Sequence, residues 1–297
     1  MMREISSIML LFILVQFFGL YVGANMVEQA KLYVEFKDFN VAPTQDSGSA
    51  LNSLYFLGTV LISATLLILL IRFYKGAFLF KLLEALVLFV ASNIVFYVIF
   101  FLSGIVFYAE LAILCALALA VSKFFFPKLK NFATVVASSG VGAIFGFSLD
   151  IFPAVVLAIG LSIYDVIAVF FTGHMIELAK AMSSRKLSFS VSTERAYQVK
   201  RKETKIVEGK EKEVEEVREE KSSLELGAGD MVIPLMLAVS AYKFAGLIPA
   251  LAVVIGATVG LWFTLEYVFS RRTFLPALPP IVFSALLALG AALALKL

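Results

Sequence analysis

Leu226-Gly227-Ala228-Gly229-Asp230 ends a long charged stretch and leads directly into Met231-Val232-Ile233-Pro234-Leu235-Met236-Leu237-Ala238-Val239, an apolar run. An aspartate behind two glycines at the mouth of an apolar helix is costly to keep. A charge in hydrocarbon costs about 3 kcal/mol or more, so such a residue is read as functional until shown otherwise. The apolar run before the charged stretch carries a second aspartate, in Tyr164-Asp165.

Working outward, the rest of the chain is of the same kind. Its 297 residues are 61% hydrophobic and 16% charged, against roughly 45–50% apolar in a soluble domain. A spanning helix needs about 20 apolar residues. By that measure the runs divide into nine, near 5–25, 53–72, 77–101, 104–122, 131–149, 152–173, 226–244, 248–269 and 275–296. The reading is an all-α polytopic membrane protein in three parts: helices one to six in 1–173, a charged and partly disordered cytoplasmic loop in 174–225, and helices seven to nine in 226–297. The first run, with Arg3 before it and Gly23-Ala24 after it, also has the outline of a signal peptide, although its core is long for one. The lipid bilayer is thus the first partner. The net charge of +3 gives no reason to expect nucleic acid. The single cysteine, Cys115, lies in an apolar run and offers neither a disulfide nor a zinc framework. The lone His174 follows a hydrophobic segment and reads as interfacial. No metal or cofactor is expected.

Basic residues set the orientation. Arg72 and Lys75 follow helix two, Lys123, Lys128 and Lys130 follow helix four, and Arg271 and Arg272 follow helix eight. The loop after helix six is rich in them, whereas the opposite side has Lys31, Lys37, Lys243 and Lys296. The N-terminus and the long loop are therefore expected in the cytoplasm and the C-terminus outside. Within 194–221 nine basic residues balance nine acidic ones, the pattern of a solvated segment or a frayed helix held by Glu/Lys pairs. Its flanks differ. Residues 187–192 and 223–226 alternate apolar and polar, as short strands do.

The two aspartates fall at one depth. Asp165 lies about eight residues, or ~12 Å, before the cytoplasmic end of helix six, and Asp230 about four residues, or ~6 Å, into helix seven. The helices run antiparallel, so the carboxylates can meet just below the cytoplasmic surface. A close carboxylate pair holds one shared proton, so one member can take a proton from water while the other donates to a scissile carbonyl. Which does which is not legible. Gly227 and Gly229 permit close approach of a substrate backbone. Taken singly, each aspartate has an ordinary reading as a capping or snorkelling residue. Glu84, Asp150 and Glu266 read as interfacial, and Glu110 and Asn93 as making interhelical hydrogen bonds or facing a cavity. Leu275-Pro276-Ala277-Leu278-Pro279-Pro280 opens helix nine on the same side. Proline is ordinary in a first helical turn, but three in five residues impose a rigid, extended approach.

Tyr164-Asp165, Leu226-Gly227-Ala228-Gly229-Asp230 and Pro276-Ala277-Leu278 resemble the three signature motifs of the presenilin and signal peptide peptidase family. The order and spacing of all nine segments resemble it too. The resemblance implies an intramembrane-cleaving aspartyl protease with Asp165 and Asp230 as the catalytic pair. Tyr164, Leu226, Gly227, Gly229, Pro276, Ala277 and Leu278 would support the site. Gly229-Asp230-Met231-Val232-Ile233-Pro234 is closer to the signal peptide peptidase branch; Pro276-Ala277-Leu278-Pro279 and the orientation are closer to presenilin. Substrates would be transmembrane helices with their N-termini outside. The loop lacks an apolar stretch resembling presenilin's self-cleavage site, so neither self-cleavage nor an obligatory partner subunit is expected. A substrate helix must unwind to be cut, and the alternating segments are expected to pair with it by strand addition. The rival reading is an ion- or proton-coupled transporter built on the same acidic residues.

Overall fold

The computed structural model describes residues 2–44, 46–74, 76, 78–172, 190–207, 210–271 and 275–295. Nine α-helices run through the described residues: α1 (Met2–Leu32), α2 (Ala50–Phe73), α3 (Phe78–Leu102), α4 (Tyr108–Phe125), α5 (Lys130–Ser148), α6 (Ile151–Val166), α7 (Ala228–Ala245), α8 (Leu247–Arg271) and α9 (Leu278–Ala294). All but α9 are long and apolar enough to cross a membrane. The 17 residues of α9 span about 26 Å, close to the hydrocarbon thickness. Between α6 and α7 stands a hairpin of two antiparallel strands, β1 (Ser190–Val207) and β2 (Lys210–Gly227).

The centre of the bundle is α7. It is apolar on every side, which in a helix means burial all round, and residues 233–241 are all buried. It packs against α1, α5, α6, α8 and α9. Small residues let these neighbours come close, since packing rather than hydrophobicity joins helices in lipid. Gly19 and Gly23 of α1 face Leu235 and Val239. Gly142 and Gly146 of α5 face the same two side chains, and a Cβ at either would lie 2.5 Å from them. Gly256 and Gly260 of α8 accommodate α9 in the same way.

Several helix ends depart from the sequence reading; α6, for one, leaves α-geometry after Val166 rather than at 173. Helix α1 continues to Leu32, because Met26-Val27-Glu28-Gln29-Ala30-Lys31 are good helix formers and Lys31 pairs with Glu28 at 2.9 Å. Helix α4 begins at Tyr108 rather than 104, after a turn in which Gly104 has φ +70°. Helix α9 begins at Leu278 rather than 275. Helix α7 begins at Ala228, because Leu226 and Gly227 finish β2 opposite Val191 and Ser190.

The frayed-helix reading of 194–221 gives way to the hairpin. Its base is held firmly: Val191 and Leu226 face each other and are buried with the residues of α1 and α7. Residues 187–189 and His174 lie outside the described residues.

Candidate active site

Asp165 is the penultimate residue of α6. Beyond it the helix widens into π-type turns over Ile167–Thr172, and the Ile167 N–H is shared between the carbonyls of Ile163 and Tyr164. Such widenings recur at functional sites, and this one begins two residues after Asp165. Asp165 is buried, and its Oδ2 accepts a hydrogen bond from the Leu278 N–H at 3.3 Å.

The proline-rich stretch explains that bond. Leu278 is the first residue of α9, where backbone N–H groups have no partner within the helix. The next two residues, Pro279 and Pro280, have no N–H at all. Leu278 therefore carries the sole N–H among these first three positions, and Asp165 receives it. The stretch was expected to be extended; Pro276 does precede the helix, but Pro279 and Pro280 lie inside its first turn. Pro276 and Leu278 are buried, and Ala277 is the half-buried N-cap.

Asp230 is the third residue of α7, and Gly227 is the helix's N-cap. The carboxylate folds back over that glycine, so that a Cβ there would lie 3.3 Å from Oδ2. A side chain at the third helical position reaching back to the N-cap is a capping geometry, so the ordinary reading and the functional one coexist. The charges of Asp165 and Asp230 are close enough to interact. Gly229 has the opposite surroundings to Gly227: among the described residues a Cβ there would meet nothing within 4 Å. That face of the helix mouth is open. A cavity of about 260 Å³ between α3, α5 and α7 reaches the Ala228-Gly229 backbone and is lined also by Glu84, Ser138 and Val232. Among the described residues no group of three or more His, Cys, Asp or Glu side chains could hold a metal ion.

Two residues at the site were not singled out in the sequence. Gln16 of α1 is fully buried, and its Nε2 donates to the Met231 carbonyl at 2.9 Å. Pro234 lies inside α7 and supplies no N–H to the carbonyl of Asp230, four residues earlier. The turn that carries Asp230 is thus loosened by a proline and tied from α1 by an amide. A lone glutamine in an apolar run was the available signal. Other acids sort differently. Glu84 is buried in an ion pair with Lys123, joining α3 to α4. Asp150 pairs with Lys243 at 2.7 Å and accepts from Ser47 Oγ at 3.0 Å. Glu110 and Glu266 are exposed, and Asn93 Oδ1 is buried with no hydrogen-bond partner among the described residues.

A family model described as signal-peptide peptidase, presenilin aspartyl protease matches residues 9–291. Two solved structures of a presenilin family intramembrane aspartate protease, in space groups C222 and P2, are similar to the chain, each with 25% identity and a TM-score of 0.66. The first match covers 98% of this chain and 99% of the other; the second covers 97% of each. A search of curated proteins found no match.

Proposed function

The chain belongs to the signal-peptide peptidase and presenilin family of aspartyl proteases, and from that premise we propose that Asp165 and Asp230 are its catalytic pair. The protein is an intramembrane aspartyl protease, a multi-pass membrane protein whose substrates are transmembrane segments within the bilayer. Neither the family nor the structural relatives support the transporter reading.

The assignment is supported by two carboxylates on helices that pack together, close enough for their charges to interact, beside an exposed glycine. In the reaction, the ionised aspartate takes a proton from water as its oxygen bonds to the scissile carbonyl carbon. The other aspartate gives its proton to the carbonyl oxygen. The resulting tetrahedral diol collapses: the C–N bond breaks, the nitrogen leaves with a proton, and a carboxyl end remains. Leu278 holds Asp165 in place, with Pro276 and Ala277 shaping the turn. Gly227 and Gly229 leave room for the substrate, while Tyr164 and Leu226 wall the site. The proposal is tested with purified protein and a transmembrane peptide. Asp165→Asn and Asp230→Asn should each lower cleavage at least ~10³-fold, the upper range of an acid/base contribution. Ready cleavage by either variant would sink the pairing.

Strand addition gives the unwound substrate a place to lie. Ser192 turns both backbone groups to Asn131. Its partner across the ladder, Glu225, must then turn both of its own away from β1, as the alternation of an antiparallel pair requires. The Glu225 backbone, five residues before Asp230, therefore faces outward from β2, where an added strand would pair. Glu225→Pro removes one donor from that edge without disturbing the ladder, a position where proline is tolerated. Cleavage should fall at least tenfold. The reading also divides the chain at 1–173, 174–225 and 226–297, with the charged segment cytoplasmic, and requires no self-cleavage and no partner subunit.

A further inference from the structure

The hairpin has two outer edges, and the β1 edge is taken at its base. On the β1 side the Asn131 side chain lies against Ser192: Nδ2 donates to the Ser192 carbonyl at 2.9 Å, and Oδ1 accepts from the Ser192 N–H at 3.1 Å. A primary amide holding both backbone groups of one residue does what a neighbouring strand would do, so the sheet ends there. Asn and Gln are the side chains that carry a donor and an acceptor on one planar group. Asn131 is the second residue of α5, and thus belongs to a helix packed on α7. A neighbouring tether crosses the hairpin base: Lys130 Nζ lies 3.2 Å from Ser192 Oγ and 3.9 Å from Glu225 Oε1.

We infer that Asn131 is a positioning residue that closes the β1 edge and fixes the hairpin base against α5, and thereby sets which substrate peptide bond reaches the aspartates. This rests on the strand-addition reading above. Val191 and Leu226 anchor the base through apolar contact, which tolerates sliding; the Asn131 amide resists it, because its two hydrogen bonds demand one position along the strand. A substrate strand on β2 inherits that position. Where the base slides relative to α7, the added strand slides with it. Because strand pairing repeats every two residues, the substrate then presents a different bond.

The test reads product masses rather than rate. Purified full-length enzyme is incubated with a transmembrane peptide, and the products are weighed by mass spectrometry. Asn131→Ala should redistribute cleavage, moving at least a third of the product to neighbouring bonds. Asn131→Gln keeps both polar groups one methylene further out and should shift cleavage with less loss of rate. Asn131→Asp retains the acceptor but not the donor, and should be slowest. A purely structural role for Asn131 would lower yield and leave the ratio of products unchanged; that outcome, or no change at all, overturns the inference. If Asn131→Ala yields too little product to weigh, Asn131→Gln decides by the same ratio. Glu225→Pro separates the two levels. Full activity in that variant removes the strand-addition reading itself, whereas its loss beside an unchanged Asn131→Ala product ratio removes only the role given to Asn131.

Discussion

Leu278 contributes to the site through its backbone, and so its side chain gives no hint of the role. The Asp165 Oδ2 oxygen takes its N–H at 3.3 Å, and the prolines that follow leave no competing donor in the next two positions. A hydrogen bond to a charged group contributes about 1.5–3 kcal/mol. Replacing Leu278 by its α-hydroxy acid removes the N–H and keeps the side chain. Cleavage should drop about tenfold or more with the unfolding temperature nearly unchanged; wild-type turnover would show that this amide does not matter. The same contrast marks what was legible at this scale. Asp165 and Asp230 stood out because a carboxylate in an apolar run is costly. Gln16 was passed over because an uncharged amide raises no such alarm, although it is fully buried and tied to Met231.

Among the elements, α7 is held by two glycine pairs from neighbouring helices, Gly19 with Gly23 and Gly142 with Gly146, closing on Leu235 and Val239. This clamp sits one to three turns beyond Asp230, so its fit sets how the aspartate is presented. Gly142→Leu forces a side chain into occupied space and should cost about 1–3 kcal/mol, the usual penalty of overpacking. Leu235→Ala should recover part of that loss. The two changes should therefore be strongly non-additive in thermal unfolding and in cleavage, and simple additivity would argue against the clamp. Helix existence was legible because apolar runs of ~20 residues have few other uses. The hairpin was not, because strand pairing is a relation between distant segments. Counting 194–221 as balanced hid how its charges are arranged: Arg201 stands opposite Glu216, and Lys202 opposite Glu215. Facing opposite charges of this kind favour pairing of strands. Only the ends, where Val191 and Leu226 reach the core, carried the alternation that betrays a strand.

For the whole molecule the open matter is direction. Nine crossings, the odd number proposed, would put the two ends of the chain on opposite faces. The aspartates lie near the face that holds the hairpin and the ends of α2, α4 and α8. Arg72, Lys123, Lys128 and Arg271 cluster at those ends, and basic residues stay on the cytoplasmic side. The 26–52 stretch and Asp150 with Lys243 mark the other face. The orientation is testable with Cys115, the one native thiol, first changed to Ala. Asp38→Cys should then react with a membrane-impermeant maleimide on right-side-out vesicles of the expressing cell. Lys128→Cys should react only after permeabilisation; both positions are exposed in the structure. That result places the aspartates near the cytoplasmic leaflet. A fusion substrate whose N-terminus lies outside should then be cleaved in preference to the same segment inserted the other way round. The active enzyme should also run as one intact chain, since the reading requires no cut in the loop. Reversed labelling would move the aspartates to the outer face and reverse the preferred substrate with them, because one charge asymmetry underlies both expectations.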